Sequence, residues 1–262
     1  MAVKLTLQGL LIYLTITAYL LAFLLTLTKR QKTGLRIFAA GFVFGVAAFI
    51  YRWIHVAHWP MQNLFEVFLT LGMLCYPISI LCRRYLRIGG HAADMFIGFI
   101  LLFPAGFVFH AEPQQLPPAL QSPLFAPHVA VYMISYVLMA KAAFCALAQL
   151  NYKRPEKGLI PPEEATYLMA CLGFPFLTLG LILGSVWGKY AWGDYWGWDP
   201  KELWSLASWL VYVGYFHFRY MFRSKYSRLN SAWAILGLVF IIITLLWVNL
   251  SKIFPGMHNY AS

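Results

Sequence analysis

Between Trp192 and Trp204 the chain reads WGDYWGWDPKELW, which sets four Trp and one Tyr beside Asp194, Asp199, Lys201 and Glu202 within thirteen residues. Aromatic faces at this density suit stacking against a large flat π system, and a nearby cation suits its carboxylates. Histidine is the second reactive type: His55, His58, His91, His110, His128, His217 and His258. His128 follows a Pro-rich stretch, and His258 lies eight residues beyond Leu250, where the last apolar run ends. Two imidazoles arriving from different helices at one depth are the axial pair that a haem iron accepts. On that reading Trp192, Tyr195, Trp196, Trp198 and Trp204 supply the stacking faces and Lys201 a cation for a propionate. Simpler readings stand beside it. Trp and Tyr gather at membrane interfaces as a belt, and the histidines are also ordinary interfacial residues.

Asp199 has a structural explanation before a chemical one. Asp199-Pro200 reads as the start of a helix, with Asp199 as N-cap, Pro200 at the first helical position and Glu202 three residues after the cap. His217 differs from the other histidines. It lies fourteen residues after Leu203, about 20 Å down a helix. An ionisable side chain inside a membrane span marks a functional site by default, although Arg219 two residues later also suits an approach to the inner headgroups.

The elements that position these residues follow from composition. Of 262 residues, 61% are hydrophobic and 11% charged, against about 25% charged in a soluble domain. Eight apolar runs are near the length that crosses about 30 Å of hydrocarbon: Leu5–Leu27, Ile37–Val56, Leu64–Cys82, Met95–Phe109, Val129–Leu150, Leu168–Val186, Leu203–Phe222 and Ala232–Leu250. The fold class is therefore all-α, a polytopic membrane protein of about eight transmembrane helices. The fourth run is the shortest and contains Pro104. The first reads as a retained helix, because only Lys4 precedes it and no small-x-small cleavage site follows.

The net charge of +11 does not indicate nucleic acid, because it alternates along the chain. One set of loops holds Lys29, Arg30, Lys32, Arg36; Arg83, Arg84, Arg87; Lys153, Arg154, Lys157; and Arg219, Arg223, Lys225, Arg228. The other set, with the termini, holds Lys4, Arg52, Lys189, Lys201 and Lys252. Lys and Arg concentrate on the cytoplasmic side. Both termini and the tryptophan-rich stretch are thus expected outside, as are five of the histidines, His91 and His217 excepted. Cys75, Cys82, Cys145 and Cys171 fall within or at the ends of runs without CxxC spacing, so they read as packing residues.

The spans account for most of residues 1–262, which are expected to form a single integral membrane domain. Residues 110–128, with five prolines, form a stiff external loop. Residues 187–203 form the external tryptophan-rich loop. The inward 151–167 connection is polar, either a solvated linker or an amphipathic segment.

The motif WGDYWGWDPKELWSL resembles the signature of the haem-handling tryptophan-rich (WWD) membrane proteins. It is most similar to the CcsA (ResC-like) subunits of the system II cytochrome c synthase. HWPMQNLFEVF, LQSPLFAPHV, YFHFR and PGMHNY resemble further segments of that family in the same order, from about Arg52 to Tyr260. Ala57 stands where the family usually has Gly, and Phe65 where it usually has Tyr.

The resemblance implies that His128 and His258 are the external haem ligands flanking the aromatic loop, and therefore the catalytic pair, and that His217 is a transmembrane iron ligand on the haem route. It implies haem b as substrate and bound ligand, and a CcsB (ResB-like) membrane subunit as partner. It further implies an apocytochrome c with a CxxCH motif as acceptor, thioether attachment on the outer face, and a bacterial cytoplasmic or a thylakoid membrane. A system I (CcmC-type) haem-delivery protein is the nearest alternative, disfavoured by eight spans and the DPKE ending. A transporter of another flat aromatic ligand, or a structural anchor for a partner, are alternatives of another class.

Overall fold

The computed structural model describes residues 4–150 and 158–250 and is helical throughout, with no strand among the described residues. The helices are α1 (Leu7–Leu27), α2 (Gln31–Val56), α3 (Leu64–Leu86), α4 (His91–Phe107), α5 (Phe125–Leu150), α6 (Pro162–Trp192), α7 (Pro200–Phe222) and α8 (Ser227–Ile242). After α8 the helix continues through a π-helical turn, Ile243–Trp247, to Val248–Leu250. Six stretches are long and apolar enough to cross a bilayer: α1, α2, α3, α5, α6 and the run Pro200–Leu250, which contains α7 and α8. α4, with Pro104 inside, is shorter at 17 residues. The chain is a polytopic helical membrane protein.

Two compact units divide the chain between Pro117 and Pro118. In the first, α1 packs on α2 and α4, and α3 on α4 and α2. Lipid chains are as apolar as Leu, so helices associate by close packing and hydrogen bonds rather than by the hydrophobic effect. Tyr19 shows how: it is fully buried, and a Cβ at Gly41 or Gly98 would come within 2.8 or 2.6 Å of its ring. Two glycines thus admit one aromatic between three helices.

A buried ion pair closes one end of this unit. Asn63 caps α3 by accepting from the Glu66 N–H at 3.0 Å. The capped first turn holds Glu66 where Arg52 Nε, on the last turns of α2, donates to Oε1 at 2.8 Å. Arg52 is 1% exposed and reaches on to the carbonyls of Ala111 (2.5 Å) and Glu112 (3.2 Å). The Gln62 N–H fills Oε2 at 2.8 Å. Lys4 reaches the carbonyls of Ala105 and Gly106 from the same end. The basic connections α1–α2 and α3–α4 share the opposite end, since Lys32, Arg83 and Arg84 line one cavity. Within this unit the helices therefore alternate as the charge pattern predicts.

In the second unit α5 packs against α6 and α8, and α7 against α8 and α6. Ser135 Oγ donates to the Gly173 carbonyl at 2.9 Å, and Trp209 Nε1 donates to Thr178 Oγ1 at 3.0 Å. Such interhelical bonds are worth about 0.6 kcal/mol each in a membrane protein. At one end Arg219 on α7 makes a fork onto Glu163 on α6. Nη2 donates to Oε2 at 3.0 Å, while Nε lies 2.7 Å from Oε1 as an ion-pair contact. Asn230 on α8 donates to Glu163 Oε1 at 2.9 Å and to the Arg223 carbonyl at 2.8 Å, so three helices meet at one carboxylate.

Candidate functional site

The site grows from the start of α7. Asp199 is 6% exposed and caps the helix, with Pro200 at its first position and Glu202 completing the capping box, as the sequence indicates. Glu202 also reaches back over the turn, accepting from the N–H groups of Gly197 (2.9 Å) and Asp199 (3.1 Å). With both flanks fastened, Trp198 is held at φ 57°. A bulky residue in the left-handed region is uncommon, and such strain persists where surrounding contacts over-determine it. The Trp198 side chain is 67% exposed and meets Trp196 edge to face at 6.1 Å. Trp196 Nε1 is buried and has no hydrogen-bond partner among the described residues.

The other wall comes from the end of α6, which runs to Trp192 and is closed by Gly193 at φ 92°. The non-helical part of the tryptophan-rich stretch is consequently only residues 193–199, shorter than the 187–203 loop expected from hydropathy. Trp and Tyr tolerate the interface as well as the apolar core, so the helix continues past Val186 without an apolar signal. Lys189 donates to the Gly193 carbonyl at 2.5 Å and stands 5.5 Å from the Tyr195 ring, which is itself largely exposed. Trp192 meets Trp187 edge to face at 4.7 Å. Trp187 is buried and donates from Nε1 to the Ala119 carbonyl at 2.9 Å. On the far side of the α7 start, Trp204 packs on Phe240 at 5.5 Å.

His128 lies in the first turn of α5, half-buried. Its ring stacks on Trp187 (5.7 Å, 27°), stands edge-on to Tyr132 (5.1 Å, 85°) and places Nδ1 3.0 Å from the Gly180 carbonyl. With Nδ1–H as the donor in that bond, Nε2 carries the lone pair, the tautomer of a metal-ligating imidazole. Gly184 makes room for the ring: a Cβ there would come within 2.6 Å of His128 Cε1. A cavity of about 630 Å³, which His128 does not line, opens between residues 118–124 and the last turns of α6 at Tyr190 and Ala191.

The structure thus links His128 through Trp187 to Trp192 at the end of α6, with Tyr195, Trp196 and Trp198 in the turn that follows, Asp199 as the N-cap of α7, and Lys201 and Trp204 on its first turns. His217 is elsewhere. It is exposed on α7, on the side that also exposes Leu203 and Leu210, with Nδ1 2.8 Å from the Val213 carbonyl. His258 lies outside the described residues. In the first unit His55 and His58 bond to backbone carbonyls of Tyr51 and of Trp59 and Gln114. Among the described residues no group of three or more His, Cys, Asp or Glu forms a metal-sized cluster.

Sequence reasoning passes over Trp187, whose spacing of five from Trp192 was the available signal. It also leaves the Arg52–Glu66 and Arg219–Glu163 pairs undetected, since each joins two different helices and no local pattern links them.

A family model for cytochrome C assembly proteins matches residues 5–255. The chain is 30% identical to the cytochrome c biogenesis protein CcsA of Chlamydomonas reinhardtii over 236 residues, covering 82% of this chain and 64% of that protein. It is 31% identical to the CcsA protein of Synechococcus sp. strain CC9902 over 256 residues, covering 82% of each. Among solved structures it is similar in fold to the cytochrome c heme lyase CcmF, with a TM-score of 0.69 and 20% identity, over 94% of this chain and 48% of that one. The chain thus spans about half the length of that lyase and just under two thirds of the algal relative.

Proposed function

This chain belongs to the cytochrome C assembly protein family, and we propose that it is the haem-binding and haem-exporting membrane subunit of a cytochrome c synthase. Its substrate is haem b, presented outside for attachment to the CxxCH segment of an apocytochrome c. The observation that carries this reading is His128, held by Trp187 and the Gly180 carbonyl and linked through Trp187 to Trp192, at the end of the helix that leads into the aromatic turn 195–198. The residues fit a flat, amphipathic porphyrin. Tyr195, Trp196 and Trp198 offer faces, the buried Trp196 Nε1 offers a donor, and Lys189 and Lys201 offer cations to propionates.

His128 and His258 are assigned as the axial pair and catalytic residues, with Trp192 and Trp204 framing the aromatic platform and Asp199 fixing its turn. His217, outward on α7, is assigned to a transmembrane haem shared with a CcsB-like partner subunit. Each cysteine S–H of the acceptor adds across a vinyl group: sulfur bonds to one carbon, the proton ends on the other, and no net redox change occurs. The protein's contribution is to hold the plane and the iron so that both vinyls face the thiols. The green-algal and cyanobacterial relatives support a thylakoid or a bacterial cytoplasmic membrane.

The test is the reduced absorption spectrum of the chain purified with and without a CcsB-like partner, for wild type, His128→Ala, His258→Ala and His217→Ala. A bis-histidine spectrum lost on either external substitution, together with lost cytochrome c maturation, is expected. A full haem complement in both external variants would remove the assignment.

A further inference from the structure

At the end of the first unit opposite the Arg52–Glu66 pair, a cavity of about 370 Å³ opens between the start of α2, the end of α3 and the start of α4. Its walls carry Lys32, Arg83 and Arg84, together with His91 and the apolar Leu35 and Ile80, and no carboxylate lines it. Among the described residues Lys32, Arg83 and Arg84 form no ion pair with an acid. The acid nearby in sequence, Asp94, is turned inward. Ser79 Oγ donates to Asp94 Oδ2 at 2.5 Å and lies 2.8 Å from His91 Nδ1, with all three residues at most 5% exposed. Asp94 therefore orients His91 through Ser79 and leaves the cations of the cavity mouth uncompensated. Lys32 and Arg84 are exposed and Arg83 is half-buried, so three like charges share one open cleft, where they repel one another and favour the entry of an anion.

We propose that this cavity binds the phosphate group of an anionic phospholipid from the inner leaflet. Arg83 and Arg84 supply planar forks for the phosphate oxygens, Lys32 a point charge, and Leu35 with Ile80 the apolar wall along which the glycerol and upper acyl chain lie. Basic pockets between transmembrane helices on the cytoplasmic side have the chemistry that selects such headgroups. The apolar wall is what favours a lipid phosphodiester over free phosphate, which would leave Leu35 and Ile80 uncovered.

The experiment uses the full chain purified in neutral detergent and titrated with dioleoyl phosphatidylglycerol, with dioleoyl phosphatidylcholine as the uncharged comparison. Bound lipid is read by native mass spectrometry and the thermal midpoint by fluorescence. Saturable binding of phosphatidylglycerol is expected, weakened about fivefold for each cavity cation removed in Lys32→Gln and in Arg83→Gln/Arg84→Gln. Binding should be unchanged in Arg36→Gln/Arg87→Gln, which removes two inner-side charges outside the cavity. Should the double cavity variant fail to fold, Lys32→Gln against Arg36→Gln carries the comparison. Displacement by millimolar inorganic phosphate would keep the phosphate site and assign it to a free phosphate. Non-saturable binding, or equal weakening in cavity and control variants, would overturn the proposal by reducing the effect to general surface charge.

Discussion

His128 and Trp187 stand face to face, ring centroids 5.7 Å apart and 27° from parallel, although one opens α5 and the other belongs to the last turns of α6. Trp187 also bonds the Ala119 carbonyl, so one indole ties the histidine to the segment that leads into α5. Trp187→Phe keeps the stacking and removes the indole donor, leaving a carbonyl short of a partner at a cost of about 1–3 kcal/mol. A thermal midpoint lower than wild type, with haem affinity reduced less than in His128→Ala, is expected. An unchanged midpoint would show the indole bond to be dispensable.

Trp198 sits at φ 57° with its ring in solvent. Trp198→Gly relieves the left-handed conformation, which costs a non-glycine residue about 1–2 kcal/mol. The variant should therefore melt higher or unchanged while binding haem more weakly. Thermal unfolding and haem titration on one preparation separate the two effects, and undiminished haem affinity would remove Trp198 from the platform.

Glu202 accepts from two backbone N–H groups and completes the Asp199 capping box. Glu202→Ala is expected to destabilise the start of α7 by about 0.5–2 kcal/mol and to speed amide exchange at Gly197 and Asp199. Exchange rates equal to wild type at both amides would contradict this.

Glu66→Gln leaves the guanidinium of Arg52 buried against a neutral partner and should destabilise the first unit by about 3–5 kcal/mol. The double change Arg52→Met/Glu66→Leu is expected to restore much of that loss, because it removes both charges. It also frees the Ala111 and Glu112 carbonyls from their donor. Faster proteolysis within residues 110–117 in the double variant than in wild type is the measurement; equal rates would mean that the pair does not anchor the segment.

Helix number, order and the α7 cap were readable because hydropathy and capping chemistry are local. Pro104 lies in α4, which at 17 residues is shorter than every other helix from α1 to α7, and Asp199-Pro200 with Glu202 marked an N-terminus. Helix ends were less readable. α2 begins at Gln31 rather than Ile37, because Lys32 and Arg36 extend long side chains at the interface without breaking the helix. α6 likewise reaches Trp192 because its last turns are aromatic rather than aliphatic. The buried pairs were not readable at all. Arg52 meets Glu66 across a turn and Arg219 meets Glu163 across 56 residues, and nothing in composition distinguishes a buried Arg from one at a headgroup.

Gly184 has no side-chain donor, acceptor or charge, yet the ring of His128 occupies the volume a side chain there would fill. The position of the His128 imidazole is therefore specified from two directions, by the atoms of histidine and by the absence of one carbon on the neighbouring helix. A single methyl at position 184 would act as a wedge, displacing the ring while leaving its chemistry intact. Loss of function from that change would be a matter of position alone, with every reactive atom of the histidine still present.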